Sequence, residues 1–197
     1  MEDPTSRTRI AVIGVGNEFR HDDATGWAVI AALARRSERH ALPHGTTLSV
    51  CDGEPARLIT LWEGAELAVV IDSAVATPAR PGHVHRLELD GDGTRVPDVG
   101  IGSTSSHGLG LGDAVELART LDRLPGRLIV YAVEGADESQ GVGLTDPVAA
   151  AVEPLAETVA AELARHARTA RGAVRPSPWP PSPLPSPGTT GEKGTTG

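Results

Sequence analysis

Three short apolar runs, RIAVIG (9–14), ELAVVI (66–71) and RLIVYAV (127–133), do most to limit what this chain can fold into. Each is strand-length, is bounded by turn-forming or polar residues, and carries no alternation, as expected of strands buried on both faces of a parallel sheet. Between them the period changes to that of a helix. Trp27, Ile30, Ala31 and Ala34 share one face of a helix expected over 23–36. Leu111, Ala114, Val115, Ala118 and Leu121 share one face of another. Val148, Ala151, Val152, Leu155 and Val159 form the stripe of a third, which Asp146-Pro147 opens and Pro154 should kink.

Lesser elements complete the pattern. Residues 47–51 (TLSVC) read as a strand and 56–62 as a short helix. Residues 83–89 (HVHRLEL) alternate, as an edge strand with one solvated face does. The order β-α-β-α-β, edge strand, α-β-α specifies a three-layer α/β/α domain over 1–171, with a mainly parallel sheet of about five strands and one antiparallel edge strand. From residue 172 the composition turns to proline, serine and glycine, which bury too little apolar surface to offset ordering entropy, so 172–197 is expected to be a disordered tail.

Net charge of −8 argues against a nucleic-acid partner or an anionic membrane surface. No run approaches the length of a membrane span, and the opening residues lack a secretory pattern. A soluble cytoplasmic protein is therefore expected. Cys51 is the sole cysteine, so one chain offers neither a disulfide nor a thiolate metal cage.

Chemistry concentrates in three dispersed residues. Asp23 opens a helix, Asp72 ends a buried strand, and His107 precedes a helix. In an open α/β sheet such positions gather at the rim formed by the carboxyl ends of the strands. If the first and third strands are neighbours, Asp23 and Asp72 flank one crevice and the loop carrying His107 can reach it. Two carboxylates and an imidazole suit a borderline divalent metal. Each also has a plainer reading: Asp23 as a helix-start residue, Asp72 as a turn residue, His107 as a cap. Asp52 in Asp52-Gly53 is equally able to form a turn or to orient a ligand from behind.

Other chemistries fit less well. Gly14-Val15-Gly16-Asn17 suggests a dinucleotide turn, but Phe19 occupies the place of the third glycine and the loop is acidic, so no nucleotide site is expected. The glycines are better read as a tight turn that hangs the next loop over the rim. Cys51 reads as a small buried apolar residue, and no Gly-x-Ser-x-Gly elbow occurs. His83 and His85 share a strand face, either as a metal pair or, more simply, facing solvent.

Four ordered blocks resemble the hydrogenase maturation protease family. They are Gly14-Val15-Gly16-Asn17 with Asp22-Asp23 and Gly26; Val70-Ile71-Asp72-Ser73-Ala74 with Pro81-Gly82 and His85-Arg86; Ser106-His107 with Leu109-Gly110-Leu111 and Asp113; and Gly143-Leu144-Thr145 with Pro147-Val148. The similarity spans about 8–165. It implies an endopeptidase that removes a carboxyl-terminal extension from a nickel–iron hydrogenase large-subunit precursor after nickel insertion. It also implies that nickel, supplied by the substrate, meets Asp23, Asp72 and His107, which serve as both metal contacts and catalytic residues. The chain departs from the family at Glu54, where glycine is common, and in the polar stretch Glu18-Phe19-Arg20-His21. Glu54, Asp52 and Asn17 are thus candidates for the substrate groove or for support behind the ligands. Two other readings stay open: a hydrolase of another substrate carrying its own zinc at the same three residues, and a non-catalytic nickel metallochaperone or assembly module.

Overall fold

A computed structural model describes residues 9–90 and 110–173. The strands are β1 (Ile10–Val15), β2 (Thr46–Cys51), β3 (Leu67–Ala74), β4 (Val84–Asp90) and β5 (Arg127–Glu134). The helices are α1 (Thr25–Ser37), α2 (Pro55–Trp62), α3 (Gly110–Thr120) and α4 (Asp146–Ala173). A single 3-10 turn, His21–Ala24, precedes α1.

The five strands lie in the order β2-β1-β3-β5-β4. β1 is parallel to β2 and β3, and β3 to β5, while β4 closes the edge antiparallel to β5. Every residue of β1 and β3 is buried, which accounts for their unbroken apolar character. One face of the sheet packs Ile10, Val12, Val69, Ile71 and Tyr131 against α1 and α4. The other packs Ala11, Ile13, Val70 and Val130 against α2 and α3. The three-layer architecture expected from the alternation of elements is the one observed.

The boundaries differ in ways that matter. β3 does not stop at Asp72 but continues through Ser73 and Ala74, because these still pair with Val133 and Glu134 of β5. Asp23 does not open α1: it sits in the 3-10 turn, and the helix begins two residues later. α4 runs as one helix through Pro154. The tail expected at 172–197 lies, beyond Ala173, outside the described residues, as do residues 91–109.

Glycine permits the contact that sets α1 on the sheet. A Cβ on Gly26 would lie 2.4 Å from the Val15 carbonyl oxygen and 2.6 Å from that of Ile71. Gly16 adopts φ +128, and a Cβ there would meet the Asp23 carbonyl oxygen. The glycines of the first block therefore serve close backbone approach.

Candidate active site

β1 connects outward to β2 on one side, while β3 lies on its other side. The chain thus leaves the sheet in opposite directions at β1 and β3, and the crevice between their carboxyl ends is the usual ligand position in such sheets. Asp23 follows β1 into this crevice, and Asp72 stands near the end of β3. Both are 1% exposed. The Ser73 hydroxyl donates to Asp23 Oδ1 at 3.1 Å, and the Ser73 amide donates to Asp72 Oδ1 at 2.8 Å. One residue of β3 therefore touches both carboxylates.

Asp22 holds this arrangement. Its carboxylate accepts four hydrogen bonds, from the amides of Ala136, Asp137 and Thr145 and from the Thr145 hydroxyl, at 2.7–3.1 Å. Burial works against its charge, but the amides of Ala136, Thr145 and Asp137 outweigh that and hold its carboxyl below the ordinary value. Around it, the His21 amide donates to Gly141, the Asp22 amide to Asp137, and the Gly141 amide to Phe19. The loop after β1 is thereby sewn to the loop after β5. The aspartate doublet divides its labour: Asp22 ties two loops together and leaves Asp23 facing Ser73.

Glu54, Asp52 and Asn17 fall on the same rim with different employment. Both oxygens of Glu54 cap α2, accepting from the amides of Ala56 at 3.0 Å and Arg57 at 2.8 Å. Asp52 Oδ1 accepts from the Glu54 amide at 3.3 Å, the turn geometry its Asp-Gly setting suggested. Asn17 Oδ1 accepts from the Phe19 amide. Asn17 also lines an open cleft of about 510 Å³ with Phe19, Arg20, Gln140, Gly141 and Val142. Phe19 is 62% exposed and Val142 77%, so this cleft presents apolar surface beside the loop that carries Asp23. His107 lies outside the described residues. α3, which follows it, packs on the α2 side of the sheet, the face shared by Val70 and, by strand alternation, Asp72.

Cys51 is buried, and burial, with the charges of Asp52 and Asp72, pushes its thiol up, so it is no nucleophile. His83 and His85 do not both face solvent: His85 Nε2 lies 2.6 Å from Oε1 of the buried Glu134. Sequence reasoning gave Asp22 and Ser73 no role beyond their motif blocks and passed over Glu134. The Asp-Asp doublet and the Gly143-Leu144-Thr145 block held the signal for Asp22, but only the fold joins them.

Comparison with known proteins decides the family. The family model for hydrogenase maturation protease matches residues 29–162. The hydrogenase 2 maturation protease of Escherichia coli K12 is 31% identical over 157 residues, covering 79% of this chain and 90% of the relative. The chain belongs to the hydrogenase maturation protease family. Among solved structures, the hydrogenase maturating endopeptidase HybD of E. coli aligns with a TM-score of 0.62 at 27% identity, covering 80% of this chain and 93% of that one. The [NiFe] hydrogenase maturation protease HybD of Thermococcus kodakarensis shares the fold, with a TM-score of 0.56 at 22% identity over 79% of this chain and 99% of that one. This member of the family is thus an endopeptidase of hydrogenase maturation, built on the five-stranded sheet described above. Among its described residues no helix is long and apolar enough to cross a membrane.

Proposed function

We propose that this protease removes the carboxyl-terminal extension of a nickel–iron hydrogenase large-subunit precursor once nickel is in place, acting in the cytoplasm. The substrate's nickel meets Asp23, Asp72 and His107, and the precursor's extension lies along the rim beside Asn17 and Phe19. The observation that carries the reading is the burial of two carboxylates, Asp23 and Asp72, at the β1/β3 crevice, where the Ser73 hydroxyl donates to Asp23 and the Ser73 amide to Asp72. Buried carboxylates are costly unless they serve a cation or hydrogen-bond donors. Two oxygens and one imidazole nitrogen form a set that suits nickel without gripping it as tightly as a closed nitrogen and sulfur site. The crevice then holds little ion at rest and responds to a precursor that brings its own. In that complex the substrate's nickel supplies Lewis acidity next to the scissile bond. Asp72 and Asp23 orient it, and Ser73 fixes the geometry of both.

The test offers the enzyme the same precursor with and without nickel, in metal-free buffer. The nickel-loaded precursor is expected to be shortened and the empty one left intact. Equal cleavage of both would remove nickel from the account.

A further inference from the structure

The start of β4 is zipped to the end of β5 by backbone bonds. The Gly82 amide donates to the Glu134 carbonyl at 2.8 Å, and the Glu134 amide to the His83 carbonyl at 2.9 Å. The antiparallel register pairs Val84 with Val133 and His85 with Ala132, so His83 stands opposite Glu134 and His85 follows two residues on, on the same face. One ligand atom each from His83, His85 and Glu134 lies within 4.8 Å of the other two. The imidazole rings are 4.6 Å apart between centroids and nearly perpendicular. His83 is exposed, His85 half-buried, and Glu134 2% exposed.

A plain ion pair accounts for His85 and Glu134 but gives His83 no role. An imidazole nitrogen is a donor to divalent metals, and His83 and His85 each place one within 4.8 Å of the other and of a Glu134 oxygen. Glu134 is also supported as ligating carboxylates are: its Oε2 accepts the Arg80 amide at 2.5 Å, leaving Oε1 for the histidine side. The Arg80 guanidinium, 3.7 Å from Oε1, competes for that oxygen, but its side chain is 66% exposed and free to swing into water. Ligand atoms around a tetrahedral ion with bonds of about 2 Å lie roughly 3.3 Å apart. Admitting an ion therefore needs His85 Nε2 and Glu134 Oε1 to part by about 0.7 Å from 2.6 Å, and ligand atoms as much as 4.8 Å apart to close by up to about 1.5 Å.

We propose that His83, His85 and Glu134 form a second metal site, separate from the β1/β3 crevice, that takes a zinc-class divalent cation with its fourth position open to water. Two histidines and a glutamate are a donor set that suits zinc. The register places this site two strands from Asp72 on the same face of the sheet, since Asp72, Ala132 and His85 are successive cross-strand partners. That is roughly 10 Å, too far for one ion to serve both. The ion fastens the segment leading into the edge strand β4 to the end of β5, immediately before the loop that carries Asp22's partners.

The experiment titrates Zn²⁺ into the chelator-stripped full chain by calorimetry near pH 7.5, comparing wild type with His83→Gln and with the double variant Asp72→Asn/His107→Ala. His83 is exposed, so its replacement leaves the fold intact. Wild type is expected to take one ion that His83→Gln loses, or binds at least tenfold more weakly, while the double variant retains it. Co²⁺ in place of Zn²⁺ should give the double variant a tetrahedral visible spectrum that His83→Gln lacks. Identical stoichiometry and affinity for wild type and His83→Gln would overturn the site, as would loss of all binding in the double variant.

Discussion

Asp22 shows how much one side chain can organise. Its four donors come from residues more than a hundred positions away, so its charge is the knot between the loops after β1 and β5. Asp22→Asn keeps the size but replaces an acceptor oxygen by a donor facing amides. The variant is expected to lose about 2–3 kcal/mol of stability at neutral pH, measured by urea unfolding. Because the folded-state pKa lies below that of the unfolded chain, the native state gains from this carboxylate fully above the ordinary carboxylate range. That gain fades as pH falls through the folded value. The difference between wild type and Asp22→Asn therefore narrows in acid; a gap that widens there would refute the assignment. At this scale the sequence was only half legible. Asp72 stood out because it interrupts the ELAVVI run. Which member of the Asp22-Asp23 doublet binds loops and which faces the crevice depends on partners across the fold, which local pattern does not contain. Glu54 was legible in hindsight, as an acidic residue ahead of Pro55 at a helix start.

Among the elements, the seating of α1 on β1 and β3 carries the site, because the turn with Asp23 leads directly into that helix. The two close approaches at Gly26 leave no room for a methyl group. Gly26→Ala is expected to cost about 3 kcal/mol and to lower processing by displacing Asp23. Gly112, inside α3, has nothing within 4 Å of an added Cβ, so Gly112→Ala should be neutral or stabilising by up to about 1 kcal/mol. Thermal unfolding and a processing assay of the two variants check the contrast, and equal effects would contradict it. Element type was plain from period alone: unbroken runs became the buried strands, and the alternating 83–89 segment became the antiparallel edge strand β4. Element ends were not, since the extension of β3 past Asp72 follows from pairing with β5. A further bond between elements escaped local reading altogether. Buried Glu162 of α4 meets Arg86 of β4 at 3.4 Å and Arg127 of β5 at 3.3 Å, tying the edge strand to the helical layer.

For the whole molecule, strand order decides where chemistry can occur. Placing β3 beside β1 brings Asp23 onto Ser73, the residue that follows Asp72, and opens the crevice at the ends of the two strands. The sequence stated this only as a condition, because strand adjacency is a property of the closed fold; the four motif blocks supplied the family, and comparison bore it out. The same register sets the His83, His85 and Glu134 cluster apart from that crevice, so the two metal readings stand or fall separately. The account rests on the crevice. Its most direct test follows shortening of a nickel-loaded large-subunit precursor by wild type and by Asp23→Asn, Asp72→Asn and His107→Ala, each first shown to be folded. Each variant is expected to process at least about a hundredfold more slowly than wild type. Processing at the wild-type rate by all three would contradict the account and place the chemistry elsewhere on the molecule.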